Sequence, residues 1–76
     1  MTITIGHSGT QEHNVFAEVA KHFIEDEFGI NCDIDILYPD PEISLMDEDS
    51  KVIAKFKRIP TLDTIEWCIR NFVLTD

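Results

Sequence analysis

Apolar residues in the first half of the chain recur at the spacing of an amphipathic helix. Between Gln11 and Phe28 they lie three, four or one residue apart, which places them in one broad stripe. The members of this stripe are Val15, Phe16, Val19, Ala20, Phe23, Ile24 and Phe28. Thr10 can cap the first turn, and Gly29 stands where a left-handed residue ends a helix. The pattern predicts a helix over Gln11–Phe28.

The same spacing near the end of the chain predicts a closing helix over about 62–73. Its stripe consists of Leu62, Ile65, Ile69, Phe72 and Val73, with Cys68 beside it. Asp63 followed by Glu66 resembles a capping box in the first turn of this helix.

Alternation of polar and apolar residues predicts strands in the rest of the chain. In segment 2–5 Thr alternates with Ile, so Ile3 and Ile5 face inward and residues 6–10 form a loop. Segment 30–37 places its apolar residues on one face, namely Ile30, Cys32, Ile34 and Ile36.

Two further strands are predicted as a hairpin. Residues 38–41 contain two prolines and interrupt the pattern, and segments 42–46 and 51–58 then flank a polar four-residue loop. The residues expected to face inward on the second of these strands are Val52, Ala54 and Phe56.

A helix over 41–58 is the alternative to this hairpin. Asp40 would be its N-cap and Pro41 its first residue. Such a helix would place Asp49 and Ser50 on its apolar stripe, so we favour the hairpin.

The elements follow the order β-α-β-β-β-α and predict one α/β domain over residues 1–76. Strands joined through a helix are expected to be parallel, and the hairpin adds antiparallel strands, which gives a mixed four-stranded sheet. Each helix has one apolar stripe, so both should cover the same face. The residues expected on the open face are Thr2, Thr4, Asp33, Asp35 and the lysines. Cross-strand Asp–Lys pairs there would contribute roughly a few tenths of a kcal/mol each. We expect 42–46 to be an edge strand guarded by Pro41 and Glu42.

The net charge of −9, from 15 acidic and 6 basic residues, restricts the partners. Nucleic acid and anionic membranes require a basic face, so we expect neither as a partner. Between His22 and Ser50 there are ten acids and no Lys or Arg, which favours a basic protein partner. The candidate acidic interaction surface consists of Glu25, Asp26, Asp33, Asp35, Asp47, Glu48 and Asp49. The sequence leaves the oligomeric state open.

Targeting signals and cysteine spacing add two expectations. The first residues contain neither a basic segment nor a long apolar run, so we expect no signal peptide, no membrane span and a cytoplasmic location. Cys32 and Cys68 lie too far apart for a CxxC or zinc motif, and both fall on apolar stripes. We expect both to be buried free thiols.

Five segments have the lengths and apolar patterns of a known family. They are Ile3-Thr4-Ile5, Ile24-Glu25-Asp26-Glu27-Phe28-Gly29, Asp33-Ile34-Asp35-Ile36, the predicted hairpin, and Ile59-Pro60-Thr61-Leu62. Together they cover nearly the whole chain and resemble the selenoprotein W-like (Rdx) proteins, which have a short thioredoxin-like fold. The resemblance implies that the functional loop follows the first strand.

In that family this loop carries Cys-x-x-Cys or Cys-x-x-selenocysteine and is the redox site. The matching loop here is Ser8-Gly9-Thr10-Gln11, which contains no sulfur. A thiolate attacks a disulfide because its pKa can be lowered at a helix N-terminus, whereas a serine hydroxyl is neither ionised nor able to form a mixed disulfide. We expect the loop to be redox-inactive.

Other chemistry near this loop is only weakly indicated. A phosphate-binding P-loop would need Gly-Lys-Ser/Thr, and a nucleophile elbow would need glycine where Thr10 stands. Ser8 could pair with His7 or His13, but the sequence identifies no buried acid that would orient the imidazole. We expect no catalytic residue.

Metal binding is also only weakly indicated. His7, His13 and Glu12 lack the spacing of a zinc site. Asp33 and Asp35 leave the same side of a predicted strand, which favours a solvated face, and Asp47-x-Asp49 lacks the glycine and the closing glutamate of a calcium loop. We expect neither a metal nor a cofactor.

The sequence therefore favours a non-catalytic protein-binding module, a thioredoxin-like scaffold without redox thiols and with an acidic surface. The alternative from another class is thiol–disulfide redox activity through Cys32 or Cys68. A further alternative is a small inhibitor whose acids mimic DNA phosphates.

Overall fold

The computed structural model describes residues 1–37 and 42–74 and contains the predicted α/β arrangement. In chain order the elements are β1 (Thr2–His7), α1 (Gln11–Phe28), β2 (Asn31–Ile36), β3 (Ile43–Met46), β4 (Val52–Phe56) and α2 (Leu62–Phe72). The hairpin is confirmed over its described part, and the proposed roles of Asp40 and Pro41 lie outside the described residues. Within the described chain, no helix has the length and apolarity needed to cross a membrane.

The four strands form one mixed sheet in the order β2-β1-β3-β4. β1 pairs with β2 in parallel, as predicted, and β3 is antiparallel to both β1 and β4. The expectation that segment 42–46 is an edge strand is wrong. Since the helical crossover places β2 on one side of β1, the hairpin pairs with the other side, and β3 is enclosed between β1 and β4.

The same strand order overturns the expected cross-strand pairs between aspartates and lysines. Asp33 and Asp35 lie on β2 and pair in register with Thr4 and Gly6 of β1. Lys55 lies on β4, at the opposite edge of the sheet. Two strands separate these side chains, so Lys55 does not pair with Asp33 or Asp35 across neighbouring strands.

The core lies between one face of the sheet and the two helices, which contact each other. The fully buried Ile and Leu side chains are Ile3, Ile5, Ile24, Ile43, Leu45, Ile65 and Ile69. Burial of each such side chain contributes roughly 1.5–3 kcal/mol. Apolar contact between helices and sheet therefore supplies most of the stabilisation.

The buried stripe of α1 is narrower than its sequence pattern. Phe16, Ala20 and Ile24 are buried as predicted, but Val15 and Val19 are exposed by 60% and 49%. A helix that packs on a sheet buries only the side that faces it, and these two valines lie beyond that side.

The ends of α1 and the start of α2 at Leu62 are confirmed, but the capping of α2 differs from the prediction. Thr10 accepts the His13 N–H at 3.3 Å, and Gly29 ends the helix with φ of +65°. The N-cap of α2 is Thr61, whose hydroxyl accepts the Thr64 N–H at 3.2 Å. The predicted capping box is therefore wrong, because the threonine before Leu62 caps the helix first. Glu66 instead accepts from Arg70 at 2.9 Å.

β1 continues two residues beyond the predicted segment 2–5, through Gly6 and His7. The expected loop over 6–10 therefore begins only at Ser8. Gly6 faces the side of the sheet without helices, where Leu37 lies against it, and a β-carbon at Gly6 would overlap the Leu37 side chain. Glycine permits this close approach, which covers the centre of the otherwise open face.

A β-bulge changes which side chains of β4 point toward the core. Leu45 pairs with Ala54, but Met46 pairs with Val52, so Ile53 is the extra residue. The expectation that Val52 faces the core is wrong. Val52 is exposed, and Ile53 packs against the core beside Ala54.

Asp47 organises the turn between β3 and β4. Its carboxylate oxygen Oδ1 accepts the N–H groups of Asp49 and Lys51, both at 2.9 Å. Its carbonyl accepts the Ser50 N–H at 3.0 Å, and Ser50 has a φ of +64°. Asp47 therefore has a structural role in the acidic turn.

We expect Asp47→Ala to lower the free energy of unfolding by about 1–2 kcal/mol, because two backbone donors lose their acceptor. Asp47→Asn keeps one acceptor oxygen and should lose less. Glu48→Ala, in the same turn, should change stability by less than about 0.5 kcal/mol. Urea unfolding measures all three, and equal losses in Asp47→Ala and Glu48→Ala would contradict the assignment.

Candidate functional site: the β1–α1 loop and the free edge of β2

The loop that follows β1 is held by its own hydrogen bonds. The Ser8 hydroxyl lies 2.8 Å from His13 Nδ1, and the Ser8 N–H donates to the same nitrogen at 3.4 Å. The Gly9 N–H donates to His7 Nδ1 at 3.1 Å, and the Gly9 carbonyl accepts from Asn14 at 3.4 Å. Both histidines thus stabilise the loop through local hydrogen bonds.

The contact between Ser8 and His13 has the length of a nucleophile–base pair. Because the Ser8 N–H also donates to His13 Nδ1, that nitrogen is an acceptor, and the Ser8 hydroxyl donates to it. The same arrangement closes the loop onto the first turn of α1. At the two ends of the Ser8–Gln11 segment, Ser8 is hydrogen-bonded to His13, and Gln11 is the exposed first residue of α1.

His7 is buried, which the sequence prediction missed. It continues the alternation of Ile3 and Ile5 on the core face, and this period-two continuation was the signal that could have identified it. Gly9 donates to Nδ1, so the neutral ring carries its proton on Nε2, which is buried without a partner in the described part of the chain. Burial, followed by repulsion from His13, lowers the pKa of His7, and Asp35 opposes the shift.

Both cysteines are free and buried, as predicted. Burial raises the pKa of the Cys32 thiol to about 12 and also raises that of Cys68, because a thiolate loses its hydration there. Cys32 pairs in register with Ile3, four residues along β1 from His7, so it lies away from the loop. Neither thiol has the environment of a reactive cysteine.

Successive residues of β2 direct their backbone groups alternately toward β1 and away from it. The Leu37 N–H donates to the His7 carbonyl at 2.8 Å, and His7 is paired in register with Ile36. In a parallel ladder this places the N–H and C=O of Ile36 on the outer edge, and the alternation gives Ile34 and Cys32 the same direction.

Lys21 and Glu25, one turn apart on α1, form hydrogen bonds with the outward-pointing C=O and N–H groups of Cys32. Lys21 Nζ donates to the Cys32 carbonyl at 2.8 Å, and Glu25 Oε2 accepts the Cys32 N–H at 3.3 Å. The two side chains also form an ion pair at 3.3 Å. The Cys32 N–H, and then Lys21, hold the pKa of Glu25 below its usual value. This Lys21–Glu25 clasp closes the edge of β2 at Cys32.

An open groove of about 560 Å³ lies beside the next part of β2. Its lining residues are Thr4, Glu18, Lys21, Asp33, Ile34 and Asp35. Three carboxylates therefore face one ammonium group, and that ammonium already pairs with Glu25. We call this negatively charged feature the β2 groove.

The predicted acidic residues do not form one continuous surface. Asp33 and Asp35 line the β2 groove together with Glu18, which the sequence prediction did not include. Glu25 belongs to the clasp, and Asp26 is exposed on α1 outside the groove lining. The other three predicted acids, Asp47, Glu48 and Asp49, lie in the β3–β4 turn, on the far side of β1.

Among the described residues, no group of three His, Cys, Asp or Glu side chains lies in an arrangement that could hold a metal ion. The residues to which this applies include Asp33, Asp35, Asp47 and Asp49.

The lowered pKa of His7 predicts a loss of stability in mild acid. Its folded pKa lies below the ordinary value of 6.5, so below pH 6.5 the unfolded chain binds a proton that the folded chain does not. Stability should therefore fall as the pH drops below 6.5, by at most about 1.4 kcal/mol per pH unit for one proton. The His7→Asn variant should lack this fall in stability below pH 6.5. The control variant His22→Asn, at an exposed histidine, should keep it. Urea unfolding from pH 7.5 to 5 tests this, and equal slopes in wild type and His7→Asn would contradict it.

Burial predicts slow modification of Cys32. In a Cys68→Ser variant, reaction of Cys32 with a disulfide reagent should be at least about a hundredfold slower in the native protein than in urea, because little thiolate is present and access is restricted. The absorbance of the released thiol measures the rate. Native labelling as fast as that of the unfolded chain would contradict this account and favour a reactive thiol.

Comparison with known proteins gives no assignment. No family model matches the chain, and no curated protein and no solved structure matches it either. The resemblance to the selenoprotein W-like proteins therefore stays a prediction, while the four-stranded mixed sheet and two helices are compatible with a small thioredoxin-like α/β fold.

Proposed function

We propose that this protein is a non-catalytic binding module that holds a basic segment of a partner protein in its β2 groove. The observation that carries the proposal is the excess of carboxylates beside β2. Glu18, Asp33 and Asp35 line the β2 groove with one ammonium group, that of Lys21, which already pairs with Glu25. A basic segment would meet electrostatic attraction there.

The state of the sulfur atoms supports a binding role over thiol exchange. The loop at the position of a thioredoxin-like redox site contains Ser8 and Gln11, and neither side chain can form a mixed disulfide. The thiols of Cys32 and Cys68 are buried, and their raised pKa values disfavour the thiolate. The same loop is closed by its hydrogen bonds to His7 and His13, which suits a rigid scaffold.

A basic peptide of alternating lysine and threonine, labelled with a fluorophore, is a direct probe of this function. We expect binding at low ionic strength that weakens as salt is added, since exposed carboxylates attract the lysines. The double variant Asp33→Asn/Asp35→Asn should bind roughly five- to tenfold more weakly, if each exposed pair contributes about 0.5–0.7 kcal/mol.

The matched control is Glu48→Gln/Asp49→Asn, which changes the net charge by the same amount in the β3–β4 turn. Its affinity for the peptide should remain within about twofold of wild type, because these side chains lie outside the β2 groove. Equal weakening in both double variants would show that only net charge matters. Absence of binding at low salt would contradict the proposed function itself.

A further inference from the structure

We propose that the partner's basic segment binds as an additional β-strand, pairing with the backbone of Ile34 and Ile36 at the free edge of β2. This inference rests on the proposed function and adds its mode of recognition. Strand addition supplies affinity through backbone hydrogen bonds and specificity through alternate side chains.

The first observation is the open backbone edge. The N–H and C=O groups of Ile34 and Ile36 point away from β1, and no hydrogen-bond partner for them is found among residues 1–37 and 42–74. Ile36 is also 57% exposed, so its side chain adds apolar surface next to these groups. A row of unpaired backbone groups on an edge strand is a ready template for another strand.

The second observation is that, within the described parts of the chain, side chains close this edge at Cys32 and not at Ile34 or Ile36. At Cys32 the Lys21–Glu25 clasp occupies both outward backbone groups with side chains. Side chains from α1 thus protect the beginning of β2, and the following stretch is left open. The open stretch begins at Ile34, which lines the β2 groove, and continues past the groove to Ile36.

Charge decides which strand can occupy this edge. Asp33 and Asp35 point to the face without helices, and they flank Ile34. If a second copy paired β2 with β2, aspartates would lie near aspartates, and like charges across strands are destabilising. In a suitable segment, Lys or Arg on that face would pair with Asp33 and Asp35. Small or apolar residues on its other face would lie beside Ile34 and Ile36. The structure therefore favours a basic, alternating segment over self-association.

Peptides with N-methylated backbones test this mode directly. In an added strand every second residue directs its N–H toward β2, and the intervening residues direct theirs to solvent. In the lysine–threonine peptide, methylation of two N–H groups that point toward β2 should weaken binding about tenfold or more. Methylation of two N–H groups that point to solvent should leave binding nearly unchanged. Side chains and charge are identical in the two peptides, so only backbone pairing can separate them.

The substitution Ile36→Pro tests the same backbone pairing by a change in the protein instead of the peptide. It removes an N–H that points outward and leaves the ladder to β1 intact, as proline at an edge position does. Peptide binding should weaken about tenfold relative to Ile36→Ala, which removes the exposed side chain but keeps the N–H. Circular dichroism checks that both variants are folded. If Ile36→Pro does not fold, the methylated peptides still test the inference.

The outcomes separate this inference from the proposed function. If the unmethylated peptide binds but both methylated peptides bind equally well, strand addition is overturned and the binding role remains. If the unmethylated peptide does not bind at all, the proposed function fails. If sedimentation shows that the protein alone dimerises at low salt and Ile36→Pro abolishes the dimer, the edge serves a second copy, which also overturns the inference.

Discussion

β1 and β2 pair in parallel over six residues each, from Thr2 with Asn31 to His7 with Ile36, and this register determines most of the surface described above. It points the backbone groups of Cys32, Ile34 and Ile36 outward. It also places Asp33 and Asp35 on the face without helices. A shift of one residue would exchange the two faces of β2, so the clasp, the groove and the open edge all depend on this single pairing.

The loop between β1 and α1 has an energetic cost as well as a role. His7 lies at the end of the central β1 strand, where burial leaves its Nε2 without a partner in the described chain, and a buried unpaired donor is unfavourable by roughly 1–3 kcal/mol. In the same site, His7 Nδ1 accepts the Gly9 N–H, and His13 Nδ1 accepts a hydrogen bond from the Ser8 hydroxyl. These hydrogen bonds connect the loop to the end of β1 and to the first turn of α1.

Much of this fold could be predicted from the sequence because periodicity reports it directly. The ends of α1 followed from Thr10 and Gly29, and the hairpin followed from the polar turn. Features that depend on neighbouring strands could not be predicted, because no local pattern reports them. These include the enclosure of β3, the bulge that turns Val52 outward, and the two strands between Lys55 and the aspartates of β2. The composition indicated acidity, but only the structure shows that Glu18, Asp33 and Asp35 line one groove.

The central claim is that the Ile34–Ile36 edge is the binding surface. The most direct test is a titration of the ¹⁵N-labelled protein with the lysine–threonine peptide, with backbone amide shifts and hydrogen exchange measured for each residue. The account predicts that the largest shifts and new exchange protection occur at the Ile34 and Ile36 amides, with little change in β4. Shifts that centre on β4 or the β3–β4 turn, without protection at Ile34 and Ile36, would contradict it.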